Sequence, residues 1–147
     1  MTKPRSSPSA SGRARAKPPL ILVVDDYADN REMYSAYLRF QGLEVVEAAN
    51  GTEALEHAFD RRPDLVVMDL SLPGVDGWEA TRVLKADPRT KNIPVIAVTG
   101  HALAGASERA TAAGCDGFLT KPCLPEDLLR EIQHMLERGR DDHPKRR

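Results

Sequence analysis

A chain of 147 residues, 41% hydrophobic and 29% charged, has room for one domain with a real core. Its apolar runs all fall short of the roughly 20 residues that span a membrane. Two cysteines, Cys115 and Cys123, match no metal or redox spacing and read as reduced thiols in a cytoplasm. The formal net charge of −1 conceals a division: residues 1–19 carry five basic and no acidic side chains, and residues 138–147 carry five basic and two acidic. Residues 20–137 hold 11 basic and 20 acidic residues, an excess of nine negative charges.

The opening "MTKPRSSPSASGRARAKPP" is low in complexity and too polar to bury a core, so residues 1–19 read as a disordered basic tail. It lacks the apolar segment of a secretory signal, although an Arg- and Ser-rich, acid-free start overlaps in composition with organelle transit peptides. From residue 20 to 138 short apolar runs alternate with segments of helical spacing.

Strands are expected at "LILVV" (20–24), "LEVVEA" (43–48), "DLVVM" (64–68), "IPVIAVT" (93–99) and "GFLT" (117–120). After the first, Met33, Tyr37, Leu38 and Phe40 give an apolar helical face, ended by Gly42 as a C-terminal cap. After the second, Ala54, Leu55, Ala58 and Phe59 recur at helical intervals. After the third come Trp78, Ala80, Thr81 and Leu84, and a small Ala/Gly-rich segment (102–113) follows the fourth. The fifth leads into "PEDLLREIQHMLERG", with Pro125 early and Glu126 and Asp127 in the first turn. Residues 139–147 read as a flexible C-terminal tail.

Strand–helix alternation repeated five times predicts an α/β fold, a doubly wound parallel sheet with helices on both faces. Right-handed crossovers gather the loops that follow the strands along one edge, where such sheets bind ligands. The residues that end the strands are therefore the ones to examine. The first ends in Asp25 and Asp26, the third in Asp69, the fourth in Thr99, and the fifth in Lys121 and Pro122. A single strand-end aspartate would read as an exit to solvent or a helix cap. Three carboxylates are different, because each like-charged pair costs about 4 kcal/mol at about 4 Å and an effective dielectric near 20. Such a cluster calls for a cation, and hard oxygen ligands with open positions suit Mg²⁺.

Taken together, "VVDDYADNR", "DLVVMDLSLPGVDGWE", "VIAVTG" and "GFLTKP" resemble the receiver domain of bacterial two-component response regulators, over roughly residues 20–138. The resemblance implies the flavodoxin-like strand order 2-1-3-4-5 with five helices. It implies that Asp69 accepts a phosphoryl group from a phosphohistidine of a sensor histidine kinase or a histidine phosphotransfer protein. Asp26 would ligate Mg²⁺ directly and Asp25 directly or through water, with Asp69 and the Ser71 carbonyl completing the protein ligands. Lys121 would pair with one phosphoryl oxygen and Thr99 donate to another. Phe118 occupies the aromatic switch position, and the Lys121–Pro122 bond would be cis. Phenylalanine stands there in place of the frequent tyrosine, and Gly100 in place of the usual alanine after the threonine. Ser71 and His101 sit where side chains tune dephosphorylation. His57, His134 and His143 read as packed or solvated histidines.

The short "GRDDHPKRR" after the fifth helix predicts a stand-alone receiver that acts on a protein partner or relays phosphoryl groups, without a dedicated nucleic-acid-binding or membrane segment. Two other classes remain open. A haloacid dehalogenase-type phosphohydrolase would need a second carboxylate two residues after its nucleophile, where Tyr27 stands after Asp25. A phosphorylation-independent interaction module would have no need of the acids and lysine retained here.

Overall fold

Five parallel strands form one sheet: β1 (Leu20–Val24), β2 (Glu44–Ala48), β3 (Leu65–Asp69), β4 (Val95–Thr99) and β5 (Gly117–Thr120), in the order β2-β1-β3-β4-β5. The computed structural model describes residues 17–70, 77–100 and 105–142, so the expectations placed on Ser71, His101, His143 and the two tails fall largely outside it. Between the strands run α1 (Ala28–Phe40), α2 (Gly51–Arg61), α3 (Gly77–Ala86) and α4 (Ala106–Ala113), and α5 (Pro125–Asp142) follows β5. The domain boundary expected at 138 falls within α5, which continues through Gly139 to Asp142. No helix of the described residues is long and apolar enough to cross a membrane.

Alternation with period two divides the core. Leu22, Val24, Val66, Met68, Val95 and Ala97 face one way and meet Ala54, Ala58, Ala80, Leu84 and Ala110 of α2, α3 and α4. Ile21, Val23, Leu65, Val67, Ile96 and Val98 face the other and meet Tyr34 and Leu38 of α1 and Leu128, Ile132 and Met135 of α5. Strands buried on both faces read as continuous apolar runs, which is why their positions were plain in the sequence. The small alanines of α2, α3 and α4 bring those helices close to the sheet.

The structure corrects the predicted face of α1. Leu38 is buried and Tyr37 packs half-buried against the same core, as expected, but the other buried residues are Tyr34 and Ser35, whereas Met33 is 43% and Phe40 85% exposed. Apolar content misled because place on the helix decides what turns inward, and Ser35, though polar, lies next to Tyr34 on the buried side. Gly42 does end the helix, at φ +95°, a conformation costly for any side chain. At α2 the Asn50 side chain accepts from the Glu53 N–H, and Glu53 accepts from the Ala49 N–H, both at 2.8 Å. The first bond satisfies an N–H that the helix start leaves open, and the second ties Glu53 to the residue before the cap.

The Ser35 hydroxyl is buried and makes no hydrogen bond. An unmet buried hydroxyl carries its desolvation cost without return, so Ser35→Ala is expected to stabilise the fold by about 1 kcal/mol. Calorimetry should show Tm rising by roughly 3 °C; a fall would mean that the hydroxyl has a partner in solution.

Candidate functional site

The sheet edge after the strands gathers four of the predicted residues through the ends of three strands. β1 runs straight into Asp25, whose backbone N–H still bonds the Ala48 carbonyl at 3.1 Å and so extends the pairing with β2. Asp25 is buried, 3% exposed, and both its carboxylate oxygens are engaged: Oδ1 accepts from the Tyr27 N–H at 2.9 Å and Oδ2 from Lys121 Nζ at 3.0 Å. Asp26 beside it is exposed. Asp69 closes β3 and is likewise buried, with Lys121 Nζ 3.5 Å from its Oδ2.

Carboxylate oxygens of Asp25, Asp26 and Asp69 lie within 4.8 Å of one another. At about 5 Å and an effective dielectric near 20, each pair repels by about 3 kcal/mol. Lys121 offsets part of this. Burial opposes its charge, but the hydrogen bond to Asp25 and the charges of Asp69 and Asp25 outweigh that, so its pKa stands above the ordinary 10.5. A raised lysine pKa means that the ion pairs support the fold fully below 10.5 and cease to do so as pH rises through the folded-state value. In metal-free buffer, wild-type stability should therefore fall more steeply than that of Lys121→Ala across this alkaline range. Parallel denaturation curves at stepped pH would discard the idea.

Lys121 is placed by its backbone. Its N–H donates to the Thr99 carbonyl at 2.8 Å, and the Lys121–Pro122 bond is cis, as the resemblance implied. Thr99 is itself buried, 3% exposed, at the end of β4. It shares the parity of Val95 and Ala97, on the side of the sheet where Phe118 packs half-buried against the core. Asp25 and Asp69 have the parity of the opposite side. The structure thus brings Asp25, Asp26, Asp69 and Lys121 together, with Thr99 tied to Lys121 and Phe118 one strand away. Cys115 and Cys123 are free thiols, and burial pushes both above the ordinary range. His57 is half-buried on α2 and His134 exposed on α5.

Three supporting residues escaped the sequence reading. Arg31 donates to the Asp25 carbonyl at 2.9 Å and to Glu47 at 3.1 Å, locking the β1 exit against β2. Tyr34 donates from its hydroxyl to the Cys123 carbonyl at 2.8 Å. Gly77 begins α3 so close to the end of β3 that a Cβ there would lie 2.2 Å from the Asp69 carbonyl oxygen. Only Gly77 left a legible mark, the "DG" between an apolar strand and a helix.

A parallel sheet ordered 2-1-3-4-5, with buried acids and a lysine beyond its strand ends, defines a doubly wound α/β fold with a polar site at the switch point of the sheet. The chain belongs to the response regulator receiver domain family, whose model matches residues 21–133. A polar-differentiation response regulator, DivK, from Brucella anthropi is 40% identical over 119 residues, covering 81% of this chain and 97% of the relative. A CheY-like receiver domain protein from Methanospirillum hungatei superposes with a TM-score of 0.79 at 31% identity, over 86% of this chain and 99% of that one. The receiver domain of a sensor histidine kinase from Pseudomonas aeruginosa, solved with a magnesium ion coordinated in its active site cleft, gives 0.76 at 35% identity over 82% and 98%.

Proposed function

We propose that this protein is a response regulator of the cytoplasm that takes a phosphoryl group from a sensor histidine kinase or a histidine phosphotransfer protein onto Asp69. The supporting observation is the convergence of Asp25, Asp26, Asp69 and Lys121 on one sheet edge. An Asp69 carboxylate oxygen attacks phosphorus, the P–N bond to the donor imidazole breaks, and the imidazole keeps its electron pair and is left to take up a proton.

The donor set fits Mg²⁺: three carboxylates in reach of one another, one of them exposed. Asp26, Asp69 and the Ser71 carbonyl would hold it directly, and Asp25 directly or through water. When bound, Mg²⁺ supplies positive charge against the repulsion between nucleophile and phosphoryl group. Lys121 leaves its pairing with Asp69 to meet a phosphoryl oxygen, and Thr99 donates to another. The product is an acyl phosphate that water hydrolyses, so the protein promotes only its own phosphorylation and dephosphorylation.

Phosphorylation adds about 1.5 to 2 negative charges. Drawing Thr99 toward them opens space on the side of the sheet where Phe118 packs, so Phe118 and the α4–β5–α5 face change together. Turning such a switch from 1:99 to 99:1 needs about 5.5 kcal/mol of differential stabilisation. Its output is a change in protein–protein interaction within a phosphorelay.

The test is incubation with Mg²⁺ and a small acyl phosphate, followed by intact mass. One labile phosphoryl group that requires Mg²⁺ is the expected result. Failure to take it up, together with failure to bind a beryllofluoride mimic, would overturn the proposal in favour of a phosphorylation-independent interaction module.

A further inference from the structure

We propose that Tyr34 is a positioning residue for phosphoryl transfer, its hydroxyl holding the segment after β5 so that Lys121 bridges Asp25 and Asp69. The inference rests on the reading of Asp69 as acceptor and adds to it a residue outside the acid cluster, 89 positions from the carbonyl it binds.

Tyr34 is 6% exposed, its ring packed among the side chains that join α1 and α5 to the sheet. Phenylalanine would fill that space equally well, so packing alone gives no reason for the oxygen. The hydroxyl donates to the Cys123 carbonyl at 2.8 Å, two residues beyond Lys121. On the near side the Lys121 N–H is held by the Thr99 carbonyl, also at 2.8 Å. Residues 121–123 are thus pinned at both ends, and the ammonium between them reaches Asp25 at 3.0 Å and Asp69 at 3.5 Å.

The same helix holds the other half of that ion pair. Where the chain enters α1, the Tyr27 N–H bonds the Asp25 carboxylate, and Arg31 bonds the Asp25 carbonyl. α1 and its N-cap residue Tyr27 therefore carry three tethers: two to Asp25 and one, through Tyr34, to the segment bearing Lys121. A rigid element gripping both partners fixes their separation without spending side-chain freedom at the moment of reaction. Burial, with Cys123 beside it, pushes the phenol's pKa above its ordinary value, so the hydroxyl keeps the proton that it donates.

If Lys121 is held less firmly, fewer molecules present it to the transferring phosphoryl group, while the acids that bind metal are untouched. Tyr34→Phe should therefore lower the maximal rate of phosphorylation by a small acyl phosphate about three- to tenfold, the range that loss of one neutral hydrogen bond supports. The half-saturating concentrations of donor and Mg²⁺ should not move, and Tm should shift by no more than a few degrees.

A residue that only stabilised the fold would behave otherwise, and the decisive readout is a double-mutant cycle. In a Lys121→Ala background, which slows the reaction by itself, adding Tyr34→Phe should have no further effect. An unchanged rate in Tyr34→Phe alone, or a slowing that multiplies with Lys121→Ala, overturns the proposal. Absence of phosphorylation in the wild type would instead remove the reading beneath it, so the two failures are distinct.

Discussion

Asp69→Asn is expected to abolish Mg²⁺-dependent phosphoryl uptake and to leave the fold intact or firmer in metal-free buffer. The amide retains shape and hydrogen-bonding capacity but lacks the anionic oxygen that the proposed transfer requires as nucleophile. Its effect on stability comes from the site's own electrostatics. With three acids within 4.8 Å, removing one charge relieves two repulsive pairs of about 3 kcal/mol each at an effective dielectric near 20. Against this stands the loss of the Lys121 contact at 3.5 Å, longer than the 3.0 Å contact to Asp25 that remains. The balance favours the variant without metal, and the advantage should shrink as Mg²⁺ is added, because wild type offers one more anionic ligand. Mass spectrometry and paired thermal melts with and without Mg²⁺ read both halves. A phosphoryl group still present on the variant would locate the acceptor elsewhere and sink the assignment.

The strand ends could be read from the sequence because each apolar run stops at a residue whose chemistry is foreign to it. Leu65–Met68 leads to Asp69 and Ile21–Val24 to Asp25, and burial on both sheet faces made those runs continuous. Parity carried more than the strand positions show. Asp25 and Asp69 share the odd register of Ile21, Val23, Leu65 and Val67, so both lie toward the α1 and α5 side, where Lys121 reaches them. Thr99 takes the other side with Phe118.

What the sequence did not disclose depends on contacts between distant segments. The buried face of α1 is one case, for Ser35 packs inward while Phe40 points out, against the order of their hydrophobicity. The tethers from Arg31 and Tyr34 are another, since a main-chain carbonyl such as that of Asp25 or Cys123 leaves no mark on residue type. Backbone acceptors are invisible to any reading based on side chains, and here they set the positions of two of the charged groups.

Gly77→Ala is expected to damage stability and phosphorylation together, more than a methyl group at a helix start ordinarily does. In an exposed helix interior alanine is favoured over glycine by about 1 kcal/mol, so propensity predicts, if anything, a gain. Contact decides otherwise. The added Cβ would sit 2.2 Å from the Asp69 carbonyl oxygen and 2.7 Å from Leu70 Cα, both backbone atoms that no rotamer can move aside. Either α3 lifts from the sheet or the end of β3 shifts, and overpacking of this kind costs about 1–3 kcal/mol. If β3 yields, Asp69 moves relative to Lys121, and a displacement near 1 Å at a reacting group can slow a reaction by about 100-fold. If α3 yields, Trp78 moves with it, and Arg109 of α4 rests on the Trp78 ring at 4.4 Å from its centroid. Fluorescence of the protein's one tryptophan separates the two responses. An altered Trp78 signal with near-normal phosphorylation would mean that the helix gave way, and slow phosphorylation with an unaltered signal would mean that the strand did. Wild-type stability and rate together would show that the tight approach of α3 to Asp69 is absent in solution.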